Sequence, residues 1–394
     1  MTTDEPLRVP QPRTCPHEPP AGYRQLHARH PISRITLPGG APAWLVTGFA
    51  ETRALLSDPR ISADRTRPGY PTLLPSPAAG TSLRTMAGMD DPEHAYFRRM
   101  VTSWFTVRRV RAMRPALARL AGSLVDRMVA GGRSADLVRD YCLPLPSMVI
   151  CELLGVPYAD HEFFQDRTRT MITAPERADV VRAAADLIGY LTSLVTDKAE
   201  HPGPDLISGL LADQVRAGRM TVEQVVNTAV LLLGAGHETT SSSIAVSAAL
   251  LAGDPERLAA LSADPEPAVE ALLRHTSVTD TVVTRIAVAD VEVGEVRIRA
   301  GDGLVFSTAV ANRDHREHPD PDRLDLADGD RRHVAFGFGV HQCLGQNLAR
   351  AELEVALAVL FERLPGLRVA VPAADLPVKS SPLVNGLHAL PVRW

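Results

Sequence analysis

Residues 335–350 read AFGFGVHQCLGQNLAR, a glycine-spaced loop that carries Cys343 and runs into a helical pattern. A phosphate-binding Walker loop would end in Gly-Lys-Ser or Gly-Lys-Thr, and a dinucleotide fingerprint would need a third glycine where Gln342 stands. Both nucleotide readings fail. A nucleophilic cysteine paired with His341 lacks an accompanying Asp or Asn constellation, which leaves a buried structural thiol or a ligand thiol. A thiolate just ahead of a helix is stabilised by the helix dipole and by free backbone N–H groups. Such a sulfur is a good axial ligand for haem iron, with Gly337, Gly339 and Gly345 letting backbone approach a flat ring and Phe336 shielding the sulfur.

The rest of the chain sets limits around this loop. Its 394 residues are 45% hydrophobic and 22% charged, with a formal net charge of -4. That is globular composition with no excess of Lys and Arg for binding nucleic acid. Cys15, Cys142, Cys151 and Cys343 include no C-x-x-C pair, so neither a disulfide framework nor a structural zinc site is indicated. The N-terminus has no apolar run of signal-sequence type, and the most apolar stretch, Val225 to Gly236, is too short to span a bilayer. A cytoplasmic protein is expected, forming a single domain over residues 1–394.

Helical spacing of apolar residues recurs at Leu117 to Met128, Asp179 to Lys198 and Ala268 to His275. Strand-like alternation appears at residues 43–49 and again at 282–301, so the fold class is mainly α with a small β region. The longest predicted helix runs from about 222 to 252, with Thr221 and Gln224 forming a capping box and Gly253-Asp254-Pro255 ending it. Its centre is unusual. Gly234 and Gly236 each cost about 1 kcal/mol relative to alanine there, and His237, Glu238, Thr239 and Thr240 interrupt an apolar run. His237 and His275 are read as structural.

These features together resemble the cytochrome P450 family. Phe336, Gly339, Cys343 and Gly345 match its haem-loop pattern, and Ala235 to Thr240 (AGHETT) resembles its oxygen-activation motif. His94 to Arg98 (HAYFR) resembles the segment that meets the haem propionates, as does Arg285. The similarity extends from about Trp44 to the terminal GLHALPVRW, and looks most like soluble actinobacterial enzymes of secondary metabolism. The resemblance implies the P450 fold, heme b (iron protoporphyrin IX) ligated by Cys343, and O2 as co-substrate. Ala235, His94, Arg98, Arg285, Phe336, Gly337, His341, Cys343 and Gly345 would bind the cofactor. Glu238 and Thr239 would be catalytic, the carboxylate relaying protons and the hydroxyl positioning a water. The implied activity is monooxygenation of an apolar small molecule, by hydroxylation or epoxidation of a polyketide, terpenoid or peptide-derived metabolite. Electrons would come from a ferredoxin and its reductase, steered by the five arginines of residues 108–119. The pocket is expected from residues 70–90, 165–180, Leu232, Ala235, Val282, Val283 and Leu383 to Asn385, with Arg84 as its charged member.

One position departs from the family pattern. Its Glu-x-x-Arg would need a glutamate at Ala271, three residues before Arg274, and Arg323 would be the second arginine of that network. Glu270 lies four residues before Arg274, within reach of an i,i+4 pair. Two buried arginines without a carboxylate would cost several kcal/mol, so Ala271→Glu is expected to stabilise. The gap also raises the alternative of a non-catalytic haem-binding sensor or scaffold.

Overall fold

The long central helix forms as its sequence predicts and organises the fold. In the computed structural model, which describes residues 6–73, 83–174, 176–327, 329–379, 381 and 383–394, it runs unbroken over Val222–Leu251. The side chain of Thr221 accepts from the Gln224 N–H, and the Gln224 side chain accepts from the Thr221 N–H. The two glycines do not break it. A Cβ on Gly236 would lie 2.9 Å from two carbons of Ile150, so this glycine admits a neighbouring helix. Burial on several sides, with Leu233, Ile244, Val246 and Leu251 fully enclosed, offsets the propensity cost at ~1.5–3 kcal/mol per large apolar side chain.

Six helices position the site and are labelled in chain order. They are α1 (Glu93–Thr102), α2 (Val107–Ala130), α3 (Pro144–Leu154), α4 (Val222–Leu251), α5 (Pro265–Thr276) and α6 (Gln346–Arg363). The predicted segments 117–128 and 268–275 lie inside α2 and α5, and 179–198 lies inside a further helix, Arg177–Glu200. Helix α6 packs on α2, α4 and α5 around one large apolar cluster that includes Leu117, Leu124, Leu273, Leu353 and Leu357. Among the described residues no helix is long and apolar enough to cross a membrane.

The β part is small, as expected. Six strands form one sheet: β1 (Leu7–Arg8), β2 (Ile32–Thr36), β3 (Pro42–Val46), β4 (Ile61–Ser62), β5 (Thr284–Ala287) and β6 (Gly303–Phe306). Their spatial order is β1-β2-β3-β6-β5-β4. The 282–301 stretch contributes β5 and a separate hairpin, Val291–Val293 with Val296–Ile298. Another two-stranded hairpin, β7 (Val378–Lys379) and β8 (Gly386–Leu387), lies against α4. There a Cβ on Gly386 would fall 2.7 Å from the Ser242 hydroxyl, so only glycine permits this approach.

Candidate active site

The loop ahead of α6 closes one side of a cavity of about 370 Å³. The Cys343 N–H donates to the Phe336 carbonyl at 2.9 Å, closing the loop on itself. Gly337 and Gly339 hold φ of 69° and 73°, a left-handed conformation that disfavours a side chain. Their surroundings differ. A Cβ on Gly339 would collide with the Leu56 carbonyl oxygen of the helix Phe49–Ser57, whereas one on Gly337 or Gly345 would meet nothing within 4 Å. Gly337 and Gly345 line the cavity and Gly339 does not. The expectation that Gly339 admits the ring is therefore corrected: it admits a neighbouring backbone.

Cys343 lies deep in the protein, yet its side chain is open to the cavity. Burial pushes its thiol up, while the Gly345 N–H, Arg98 and Arg350 pull the other way. Cys142 and Cys151 are buried in the apolar cluster instead, and burial holds Cys142 well above the usual thiol range and Cys151 at about 12.

At one edge of the cavity the structure gathers His94, Arg98, Arg285 and His341, four residues drawn from three parts of the sequence. The His94 and His341 rings lie 4.0 Å apart. His94 bonds Asp91 at 3.0 Å, Arg98 donates to the Gln342 carbonyl at 2.6 Å, and Arg285 donates to the Thr284 carbonyl at 2.8 Å. Burial, then Arg285 and His94, push His341 down to about 3. Burial also lowers His94, Arg98 and Arg285. Arg65 joins the lining, which the sequence reading missed. The only acid among the described lining residues is Glu352, which burial pushes up to about 8 and so keeps protonated at neutral pH. Arg98 and Arg285 face the cavity bonded to backbone carbonyls, and their charges call for an anion. Two propionates on a flat apolar ring fit this edge, the open space beside Gly337 and Gly345, and the accessible thiol.

The opposite wall is α4. Leu231, Leu232, Ala235, Gly236, Thr239 and Thr240 line the cavity, and the Thr239 hydroxyl donates to the Ala235 carbonyl at 2.9 Å. Glu238 is not among the lining residues: its carboxylate pairs with Lys379 of β7. The lining positions of α4 recur as the pairs 231/232, 235/236 and 239/240, and Glu238 falls one position, about 100°, before that arc. His237 is structural as read, bonding the Leu233 carbonyl at 2.8 Å and the Thr168 hydroxyl at 3.2 Å, with burial pushing it down to about 4. His275 is buried as well and stacks on His17.

Several expectations for the pocket are revised. Val282 and Val283 line it, together with Met86 and Ala87 of the 70–90 stretch. The described parts of 165–180 and Leu383 to Asn385 do not line it. Residues 74–82 and 175, and the side chains of 172 and 173, lie outside the described residues. Arg84 points away and pairs with Glu93 at 2.5 Å.

The anomaly at Ala271 resolves differently from either sequence alternative. Arg274 is buried and donates to the carbonyls of Asn312, Pro321 and Arg323 at 3.0–3.2 Å. Arg323 is largely exposed and sits near Asp325, so it is no second buried arginine. Glu270 is only 1% exposed and pairs with neither: it holds Arg350 of α6 at 2.5 and 3.1 Å and His333 at 2.9 Å. Burial raises the Glu270 carboxyl, but the bonds from His333 and Arg350 outweigh this and hold it below the usual range. No pair of arginines is left uncompensated, which removes the ground for expecting a weakened, non-catalytic site.

Comparison with known proteins gives a consistent result. The family model described as Cytochrome P450 matches residues 162–365. The chain is 48% identical to pentalenic acid synthase of Streptomyces avermitilis, over 99% of this chain and 98% of that protein. It is 46% identical to vitamin D3 dihydroxylase of Streptomyces griseolus, over 100% and 98%. The crystal structure of mycinamicin VIII C21 methyl hydroxylase from Micromonospora griseorubida, bound to mycinamicin VIII, is 39% identical and superposes with a TM-score of 0.93, covering 98% of this chain and 100% of that one.

Proposed function

The chain belongs to the cytochrome P450 family, and on that premise we propose that it hydroxylates or epoxidises an apolar secondary metabolite held between α4 and the Cys343 loop. Its reaction class is monooxygenation, with haem iron as cofactor and O2 as co-substrate. The observation that carries the assignment to these residues is the single cavity that brings together an accessible thiol, a cationic edge and an apolar helix face.

When bound, haem supplies the activation of O2. Cys343 would hold the iron through Sγ, with the Gly345 N–H favouring the thiolate form. Arg98 and Arg285, with His94, His341 and Arg65, would bind the propionates, and Phe336, Gly337, Gly345 and Ala235 would bound the ring. Thr239 would keep a water in the cavity through its free lone pairs, since its own proton is given to Ala235. Glu238 would bring protons in by leaving Lys379 for the cavity, a side-chain rotation that the helix backbone need not follow. An apolar substrate fits Leu231, Leu232, Val282, Val283 and Met86, and relatives named for pentalenic acid, vitamin D3 and mycinamicin VIII support a terpenoid or polyketide.

We place the whole of residues 1–394 in one catalytic domain in the cytoplasm, with a ferredoxin and its reductase as electron donors. On α2, Arg108, Arg111 and Arg119 are exposed for an acidic partner. Arg109 is stacked 3.6 Å over Trp104 and Arg114 is tied to Glu354 at 2.6 Å, which leaves three of the five arginines for docking. The test is the absorption spectrum of the purified protein, reduced and exposed to carbon monoxide. A Soret band at the long-wavelength position of thiolate-ligated haem supports the assignment. A band at the shorter wavelength of a neutral ligand, or no haem, overturns it.

A further inference from the structure

Arg350 sits beside the cysteine loop in a way that gives its charge a second role. Its guanidinium carbon lies 4.5 Å above the Phe336 ring, and the Phe336 carbonyl accepts the Cys343 N–H at 2.9 Å. The positive charge is therefore one residue contact away from the ligand sulfur. Two cations flank the loop, and Arg350 is the one stacked on Phe336. The other, Arg98, is satisfied by a carbonyl, which leaves its charge intact. Arg350 is held by a carboxylate.

We propose that Glu270 is a positioning residue that sets the reduction potential of the haem iron by neutralising Arg350 next to the Cys343 loop. The inference rests on Cys343 being the iron ligand. Glu270 makes a two-pronged bond to Arg350, the Nε to one carboxylate oxygen at 2.5 Å and Nη2 to the other at 3.1 Å, with the carboxylate 1% and Arg350 17% exposed as side chains. In this setting charges are weakly screened.

The third member adds no charge. The His333 Nδ1 accepts the Ala335 N–H at 3.2 Å, so its proton is on Nε2, which donates to Glu270 at 2.9 Å. His333 is then neutral and the cluster of three has a net charge of zero. Its ring also lies beside Phe336, with centroids 6.1 Å apart, so both donors to Glu270 flank the residue whose carbonyl accepts the Cys343 N–H.

Reduction of ferric to ferrous haem adds one negative charge, which a nearby cation favours and a nearby anion opposes. Removing the negative member of the pair and removing the positive member must shift the potential in opposite directions. A merely structural contact would shift it the same way in both variants, or not at all.

The experiment is a spectroelectrochemical titration of the haem-loaded, substrate-free protein, with the ferrous carbonyl spectrum recorded for each form. Glu270→Gln should move the midpoint positive, Arg350→Gln negative, and the double variant should return close to the parent. Arg350→Lys, which keeps the charge, should stay near the parent and separates charge from shape should Glu270→Gln fail to retain haem. Shifts of the same sign, or an Arg350→Gln midpoint equal to that of Arg350→Lys, would overturn the proposal while the parent still shows its thiolate band. A parent without that band would instead fail the ligand assignment, and this proposal with it.

Discussion

On the cysteine side of the cavity, polar groups are locked by partners from other elements: Glu270 of α5 holds Arg350 of α6 and His333, and Arg98 of α1 holds the Gln342 carbonyl. On the α4 side the lining is apolar or bonded within its own helix, and the nearby acid, Glu238, is restrained by one lysine on a two-residue strand. The difference matches what each side must do. A metal ligand and its charge environment serve the reaction best when they do not move, because reorganisation adds to the barrier. The proposed proton delivery and substrate entry require groups that change place, and a single ion pair to Lys379 is a contact that can be released.

The largest effect expected from this contrast is at the sulfur itself. Cys343→Ser should abolish the long-wavelength carbonyl band and turnover, while Cys142→Ser, in the apolar cluster, should keep both and cost ~1–3 kcal/mol of stability through a buried hydroxyl. A carbonyl band lost in both variants would mean that the two thiols do not differ as described. Next comes the clamp. Glu270→Ala leaves Arg350 half-buried without its carboxylate and should destabilise by about 3–5 kcal/mol, read by urea unfolding of the haem-loaded protein. Ala271→Glu, in contrast, should give no gain in Tm. Position 271 is buried in the apolar cluster and Arg274 already has three carbonyl partners. A gain would show that the Arg274 network is short of a carboxylate after all.

On the α4 side the expected effects are smaller and confined to function. Glu238→Gln should slow product formation on the order of 10²-fold with haem retention unchanged, measured by product formed per electron consumed. Unchanged turnover would remove Glu238 from the proton path and leave α4 with a purely shaping role. A separate effect, on the pH profile of stability, concerns Glu352 of α6, which has an oxygen with no hydrogen-bond partner and is pushed by burial from 4.5 up to about 8. Between those values the folded protein binds the proton that the unfolded chain has lost, so this residue makes stability fall as pH rises from about 4.5 to 8. Glu352→Gln should flatten that slope, and parallel Tm profiles for parent and variant would contradict it.

Local chemistry was legible in the order of residues. The Phe336 to Gly345 spacing, the capping box at Thr221 and Gln224, and the two short β stretches depend on contacts within a few positions, so a linear reading reaches them. A signal for Glu352 was also present, since it falls on the same face of α6 as the buried Leu348 and Val355. Other relations had no such signal. Lys379 and the true partners of Glu270 come from 63 to 141 positions away from the groups they meet, and Arg65 joins a cavity edge shared with the distant Arg285 and His341. Neither periodicity nor motif spacing encodes such relations.

The sequence by itself determined that a cysteine sits on a glycine loop before a helix, that a long helix carries a threonine at its centre, and that the fold is mainly α. Each follows from backbone conformation and residue chemistry at short range. Tertiary structure alone decided which charges meet: that Glu270 serves Arg350 and His333 rather than Arg274, that Arg323 stays in solvent, and that Glu238 turns from the cavity to Lys379. A buried charge needs a partner, but that requirement fixes only that one exists. Which residue fills it is set by how α5, α6 and the β7–β8 hairpin pack.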